Sequence, residues 1–151
     1  MRLTAGTSTR LLVNDRADIA AGAGAHGVHL TTRSIDAGAI RKTFGEELLI
    51  GASTHSVDDA VAARDRGADL IVFGPIFETP SKLKYGAPLG LESLSTVTTV
   101  LRNFPVLALG GITIGNARDC LNAGASGIAG ISLFSDHTEL AVIAGALRER
   151  I

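Results

Sequence analysis

The segment Arg66-Gly67-Ala68-Asp69-Leu70-Ile71-Val72-Phe73 closes one structural element and opens the next. Gly67 suits a left-handed helix cap, and three residues later an unbroken apolar run of strand length begins. Upstream, Val57-Asp58-Asp59-Ala60-Val61-Ala62-Ala63-Arg64 has helical spacing, with Ser56 placed as its N-cap. Helix, glycine, strand is the repeating unit. It returns as Ala23-Gly24-Ala25-His26-Gly27-Val28 and as Ala123-Gly124-Ala125-Ser126-Gly127-Ile128. Thr113, ahead of Ile114-Gly115-Asn116-Ala117, marks another expected capped helix start.

Working outward, strands are expected around residues 10–14, 27–30, 48–53, 69–74, 105–109 and 127–131. None shows apolar/polar alternation, so each suits a parallel sheet covered by helices. About six strand–helix units make an α/β chain. Two architectures remain open. An open doubly wound sheet has helices on both faces and a strand order that reverses. A (β/α)8 TIM-barrel wall has helices on one face and strands in sequential order. A complete barrel takes ~250 residues, at minimum about 200, so the 151 residues here fall short of eight units. A barrel would therefore lack two βα units and leave the strands near Leu12 and Ile128 unpaired on their outer sides. Such edges predict low stability or association of the isolated chain, including a homo-oligomer.

Composition narrows the class. There are 14 Lys+Arg against 15 Asp+Glu, a balance that excludes a coat for nucleic acid or a polybasic membrane anchor. With 46% hydrophobic and 19% charged residues the sequence is too apolar for a disordered chain. No apolar run approaches the ~20 residues of a membrane span, and MRLTAGTSTR lacks the apolar core of a signal peptide. The single cysteine, Cys120, excludes a disulfide framework and reads as packing on a helix beside Asp119. The expectation is one cytoplasmic domain over residues 1–151.

In either architecture a site forms at the C-terminal ends of the strands, where polar residues collect. Asn14-Asp15 either caps the next helix or offers a diphosphate donor beside a hard oxygen ligand for Mg²⁺. Gly110-Gly111, with Ile131-Ser132 after the last strand, either forms a tight turn or presents backbone N–H groups to a phosphate. The irregular stretch 74–89 holds three of the four prolines, a length that suits function. Within it Thr79-Pro80-Ser81-Lys82 combines two hydroxyls with an ammonium, either a solvated loop or a clamp for an anionic leaving group. Ser53-Thr54-His55 supplies a hydroxyl and a candidate general acid/base. His29, inside an apolar run, reads as a satisfied core histidine, and His26 and His137 as turn or surface residues.

Taken as an ordered series, these phrases resemble one family. Leu12-Val13-Asn14-Asp15-Arg16, Gly27-Val28-His29-Leu30, Ile50-Gly51-Ala52-Ser53-Thr54-His55, Phe73-Gly74-Pro75-Ile76-Phe77-Glu78-Thr79-Pro80-Ser81-Lys82, Ala108-Leu109-Gly110-Gly111-Ile112-Thr113 and Gly127-Ile128-Ala129-Gly130-Ile131 resemble the thiamine-phosphate synthase / TenI-like superfamily of (β/α)8 barrels. The resemblance implies strands three to eight of that barrel. The family's first two strands, with basic residues that bind diphosphate, have no counterpart here. It also implies a transferase that joins hydroxymethylpyrimidine diphosphate to thiazole phosphate and releases diphosphate. By match, Asp15 would hold Mg²⁺, while Asn14, Ser53 and the catalytic Lys82 would contact the pyrimidine diphosphate. Thr79 and Ser81 would lie near the thiazole, and Gly110, Gly111, Ile131 and Ser132 would bind its phosphate. The family's second metal carboxylate is replaced by Ser34, and Asp36 is out of register. TenI-like thiazole tautomerases share that loss, and in them the residue matching His55 would shuttle protons. A barrel that binds thiazole phosphate without turnover is the third alternative.

Overall fold

The computed structural model describes residues 4–79, 87–135 and 138–150. Six strands alternate with helices: β1 (Leu12–Asn14), α1 (Ala17–Gly22), β2 (Gly27–Leu30), α2 (Ala37–Phe44), β3 (Leu49–Thr54), α3 (Val57–Asp65), β4 (Leu70–Phe73), α4 (Gly90–Val100), β5 (Val106–Leu109), α5 (Ala117–Asn122), β6 (Gly127–Ala129) and α6 (Leu140–Arg150). A 3₁₀ turn at Ser132–Phe134 follows β6, which ends two residues earlier than the apolar run suggests. All neighbours pair in parallel, in the sequential order β1-β2-β3-β4-β5-β6. The doubly wound alternative is thereby excluded, since its order reverses. Among the described residues β1 and β6 each have a partner on one side only.

Side-chain parity along the strands divides the sheet into two faces. Val28, Ile50, Ile71, Val106 and Ala108 are buried with Ala20, Ile40, Ala60, Leu94, Val97 and Cys120 from the helices. That layer is the core, and its apolar burial is the main stabilising term. The opposite parity presents Leu12, His29, Leu49, Ser53, Leu70, Leu107 and Leu109, all half-buried. Gly51 lies among them, with Leu12, His29 and Leu70 around it. Cys120 is fully buried, and burial pushes its thiol up to about 11, in keeping with a packing role.

Local signals shape the helix ends. The Ser56 side chain caps α3 by accepting the Asp59 N–H at 3.1 Å. Gly24, Gly67 and Gly124 all take positive φ, as the repeated phrase requires. Thr113 does not cap a helix directly. It closes a turn with Asn116, each side chain accepting the other's backbone N–H at 2.7 and 3.3 Å, and α5 begins only at Ala117.

At the end of the sheet remote from the candidate site, the Arg41 guanidinium, with its side chain 12% exposed, donates to the carbonyls of Gly45, Leu48 and Gly67. It also bonds the Asp69 carboxylate at 2.7 Å, which in turn accepts the Ile50 N–H at 2.7 Å. This fork ties the starts of β3 and β4 to the end of α2. Arg41→Met should lower stability by roughly 2–3 kcal/mol, because Asp69 loses its partner and three carbonyls lose a charged donor. Urea unfolding of the two proteins checks this, with an unchanged denaturation midpoint as the contrary result.

Candidate functional site

The C-terminal strand ends form one rim, and hydrogen bonds tie its loops together in two groups. The first group surrounds β1, β2 and β3. Asp15 adopts positive φ (60°), and its N–H donates to the His29 carbonyl at 2.9 Å. Its carboxylate does not cap α1, whose N-cap is Arg16 with no side-chain cap bond. Instead, Asp15 Oδ1 accepts the Ser34 hydroxyl in a very short contact and the Thr31 hydroxyl at 3.3 Å. Ser34 thus directs its hydroxyl onto the acidic group beside it. Asp36 is committed elsewhere: it caps α2 through the Gly38 N–H at 2.9 Å and pairs with Arg66 at 3.3 Å.

His29 is the residue that sequence reasoning placed wrongly. It lies on the sheet's open face, outside the helix-covered core, with Nε2 2.8 Å from Ser53 Oγ. Register sets it opposite Asn14 on one side and Gly51 on the other. Burial lowers its pKa below the ordinary histidine value, and the nearby Asp15 charge works against that shift. The available signal was parity: Val28 and Leu30 face the helices, so the residue between them must face away.

The second group joins the loop after β4 to the end of β5. The Ile76 N–H donates to the Leu109 carbonyl at 2.8 Å, and the Phe77 N–H to the Gly110 carbonyl at 3.0 Å. Gly110 and Gly111 take φ of +100° and +64°. A Cβ on Gly110 would stand 2.6 Å from Pro75 Cβ, and one on Gly111 2.7 Å from Phe77 Cβ. These glycines let the loop lie directly on the turn, which brings the Glu78 backbone beside it. Asn116 Nδ2 braces the turn by donating to the Gly111 carbonyl at 3.1 Å. Leu109 pairs with Ala129, so Gly110-Gly111 and Gly130-Ile131 leave the sheet side by side. Ile131 is 86% exposed and Ser132 opens the 3₁₀ turn. Ser81, Lys82 and His137 lie outside the described residues.

His55 links the groups. Its Nδ1 is 2.5 Å from the Gly74 carbonyl, at the root of the β4 loop. A carbonyl only accepts, so Nδ1 carries the proton and Nε2 keeps its lone pair in the neutral ring. The rim therefore offers a carboxylate with hydroxyls, a serine–histidine pair, an imidazole of fixed tautomer and a glycine turn. Its hydroxyl and imidazole N–H donors and its glycine turn can present hydrogen bonds to an anionic group. Among the described residues no three His, Cys, Asp or Glu side chains converge as a metal site.

Comparison with known proteins shows the family. A family model described as thiamine monophosphate synthase matches residues 1–134. The chain is 48% identical over 131 residues to a putative thiamine-phosphate synthase of Geobacter sulfurreducens, covering 87% of this chain and 61% of that protein. It is 49% identical over 121 residues to a thiamine-phosphate synthase of Chlorobium luteolum, covering 80% and 57% respectively. The chain thus spans about three fifths of the length of these curated relatives. A solved thiamine phosphate pyrophosphorylase from Pyrococcus furiosus superposes with a TM-score of 0.87 at 32% identity, over 99% of this chain and 70% of that one. No helix among the described residues is long and apolar enough to cross a membrane.

Proposed function

The chain belongs to the thiamine monophosphate synthase family, and from that premise we propose that its protein joins hydroxymethylpyrimidine diphosphate to thiazole phosphate, releasing diphosphate. The supporting observation is the pair of hydrogen-bonded loop groups on one rim, linked by the contact of His55 with the Gly74 carbonyl. One group suits the pyrimidine diphosphate: Asn14 and Ser53 would donate to it, and by the family resemblance Lys82 would supply a positive charge. The other suits the thiazole phosphate, through the backbone of Gly110, Gly111 and Ile131 and the hydroxyl of Ser132, with Thr79 and Ser81 near the ring. The bond from the pyrimidine methylene to the diphosphate oxygen breaks, and the thiazole nitrogen takes up that carbon. The protein's task is to align the two partners and to stabilise the charge on the departing group.

Mg²⁺ belongs to this reading as a companion of the diphosphate. Asp15 is the carboxylate that would hold it, and Ser34 and Thr31 donate to its Oδ1. A single carboxylate completed by substrate phosphates is an ordinary magnesium arrangement. When bound, the ion would supply neutralisation of diphosphate charge. We further propose a cytoplasmic setting and small phosphorylated pyrimidine and thiazole partners.

The fixed tautomer of His55 favours a second reading, thiazole tautomerisation, in which the free Nε2 takes and returns a proton. Phosphorus NMR separates the alternatives when the protein receives both substrates with MgCl₂. Diphosphate and thiamine phosphate should appear in equal amounts. Binding of both substrates without diphosphate release would refute the synthase reading and leave a tautomerase or a binding barrel.

A further inference from the structure

We infer that His29 is a positioning residue that holds the Ser53 hydroxyl as a hydrogen-bond donor directed at a bound anion. The imidazole takes the Nε2–H tautomer and donates to Ser53 Oγ, so the serine proton must point elsewhere. Geometry around the ring assigns that tautomer. Nε2 faces Ser53 Oγ at 2.8 Å. Nδ1 faces the Cα of Gly51, only 2.8 Å from where a Cβ would stand, with Leu70 and Leu12 side chains near the same point. That flank is glycine and aliphatic carbon. Among the described residues a proton on Nδ1 has no acceptor, whereas a proton on Nε2 has the serine oxygen. Glycine within a strand weakens it, and its presence at position 51 makes room for the ring. A hydroxyl whose oxygen already accepts an N–H presents its own hydrogen outward. For an anion, which accepts only, that is the useful orientation.

This inference rests on the proposed function, in which Ser53 meets a diphosphate oxygen. Long-range ¹H–¹⁵N NMR of the histidine-labelled chain reads the tautomer and needs no substitution. The Nε2–H pattern is expected at His29, and an Nδ1–H pattern would overturn the inference. Calorimetric titration with inorganic diphosphate and MgCl₂ reads the consequence. His29→Leu should weaken binding about ten-fold, the scale of one directed hydrogen bond. His29→Gln, which restores an N–H near the Nε2 position, should recover most of that loss. In a Ser53→Ala background His29→Leu should have no further effect, whereas penalties that multiply would show that His29 acts independently of Ser53. Should His29→Leu fail to fold, Gly51→Ala displaces the ring and repeats the titration. If the unaltered chain binds no diphosphate, the proposed function falls, and the tautomer measurement still decides the role of His29.

Discussion

Lys82→Ala is expected to slow diphosphate release by about 10²–10³, the usual cost of removing one preorganised charge-stabilising contact from a transition state. In the proposed synthase reaction the lysine's attraction for the leaving group would grow as the carbon–oxygen bond stretches, so the loss should fall on kcat more than on KM. His55→Ala should be milder in the same assay, because an imidazole tethered to the Gly74 carbonyl mainly orients its surroundings in that reaction. The tautomerase reading reverses the order. There a positioned general acid/base is worth roughly 10²–10⁴, and Lys82 has no diphosphate to stabilise. Steady-state rates of both variants in the full-length protein distinguish the two. Near-silent Lys82→Ala with inactive His55→Ala would transfer the assignment to the tautomerase.

Gly110→Ala should be strongly destabilising, because backbone strain and a steric clash act together there. Position 110 has φ of +100°, where an L side chain is strained. The added Cβ would also stand 2.6 Å from Pro75 Cβ and 2.7 Å from Pro75 Cα, which cannot swing away as a flexible chain end would. Strain of 1–3 kcal/mol and overpacking of similar size together suggest a loss of roughly 3–5 kcal/mol. For a domain of this size that lowers Tm by about 10 °C. Gly145→Ala is the matching control. Nothing lies within 4 Å of its Cβ position and it sits inside α6, so alanine should raise stability by about 0.5–1 kcal/mol. Differential scanning calorimetry of the pair checks both signs.

The strand pattern was legible because parallel strands buried against helices are written as apolar runs between glycine caps. Runs such as Leu70–Phe73 leave little else to choose. The strand order was narrowed to two options by repetition and length, and only pairing between strands removes one of them. The site was legible as a set of loop ends. Asn14-Asp15, Ser53, His55, Thr79 and Gly110-Gly111 all gather on the rim. What stayed hidden was the partnership within the set. That Ser34 bonds Asp15, and that His29 turns to Ser53, depends on loop closure and strand parity across residues 19 and 24 positions apart. Gly51 carries no signal of its own in the sequence, and the imidazole beside it supplies the reason for a glycine there. Thr113 misled because a threonine before a turn and one before a helix share the same local chemistry.

The Arg41–Asp69 fork and the rim of the candidate site occupy opposite ends of the same strands. The fork holds the strand starts at the end away from the candidate site, while the rim is held by its own contacts between the β4 loop and the Gly110-Gly111 turn. Sequence drift can therefore proceed at the two ends on separate terms. Loops such as Thr31–Ser34 are open to exchange of a carboxylate for a hydroxyl, or of one substrate for another, without first requiring compensating changes in the fold. A scaffold partitioned in this way is suited to acquiring new specificities by small steps, each one tolerated by an untouched anchor at the far end.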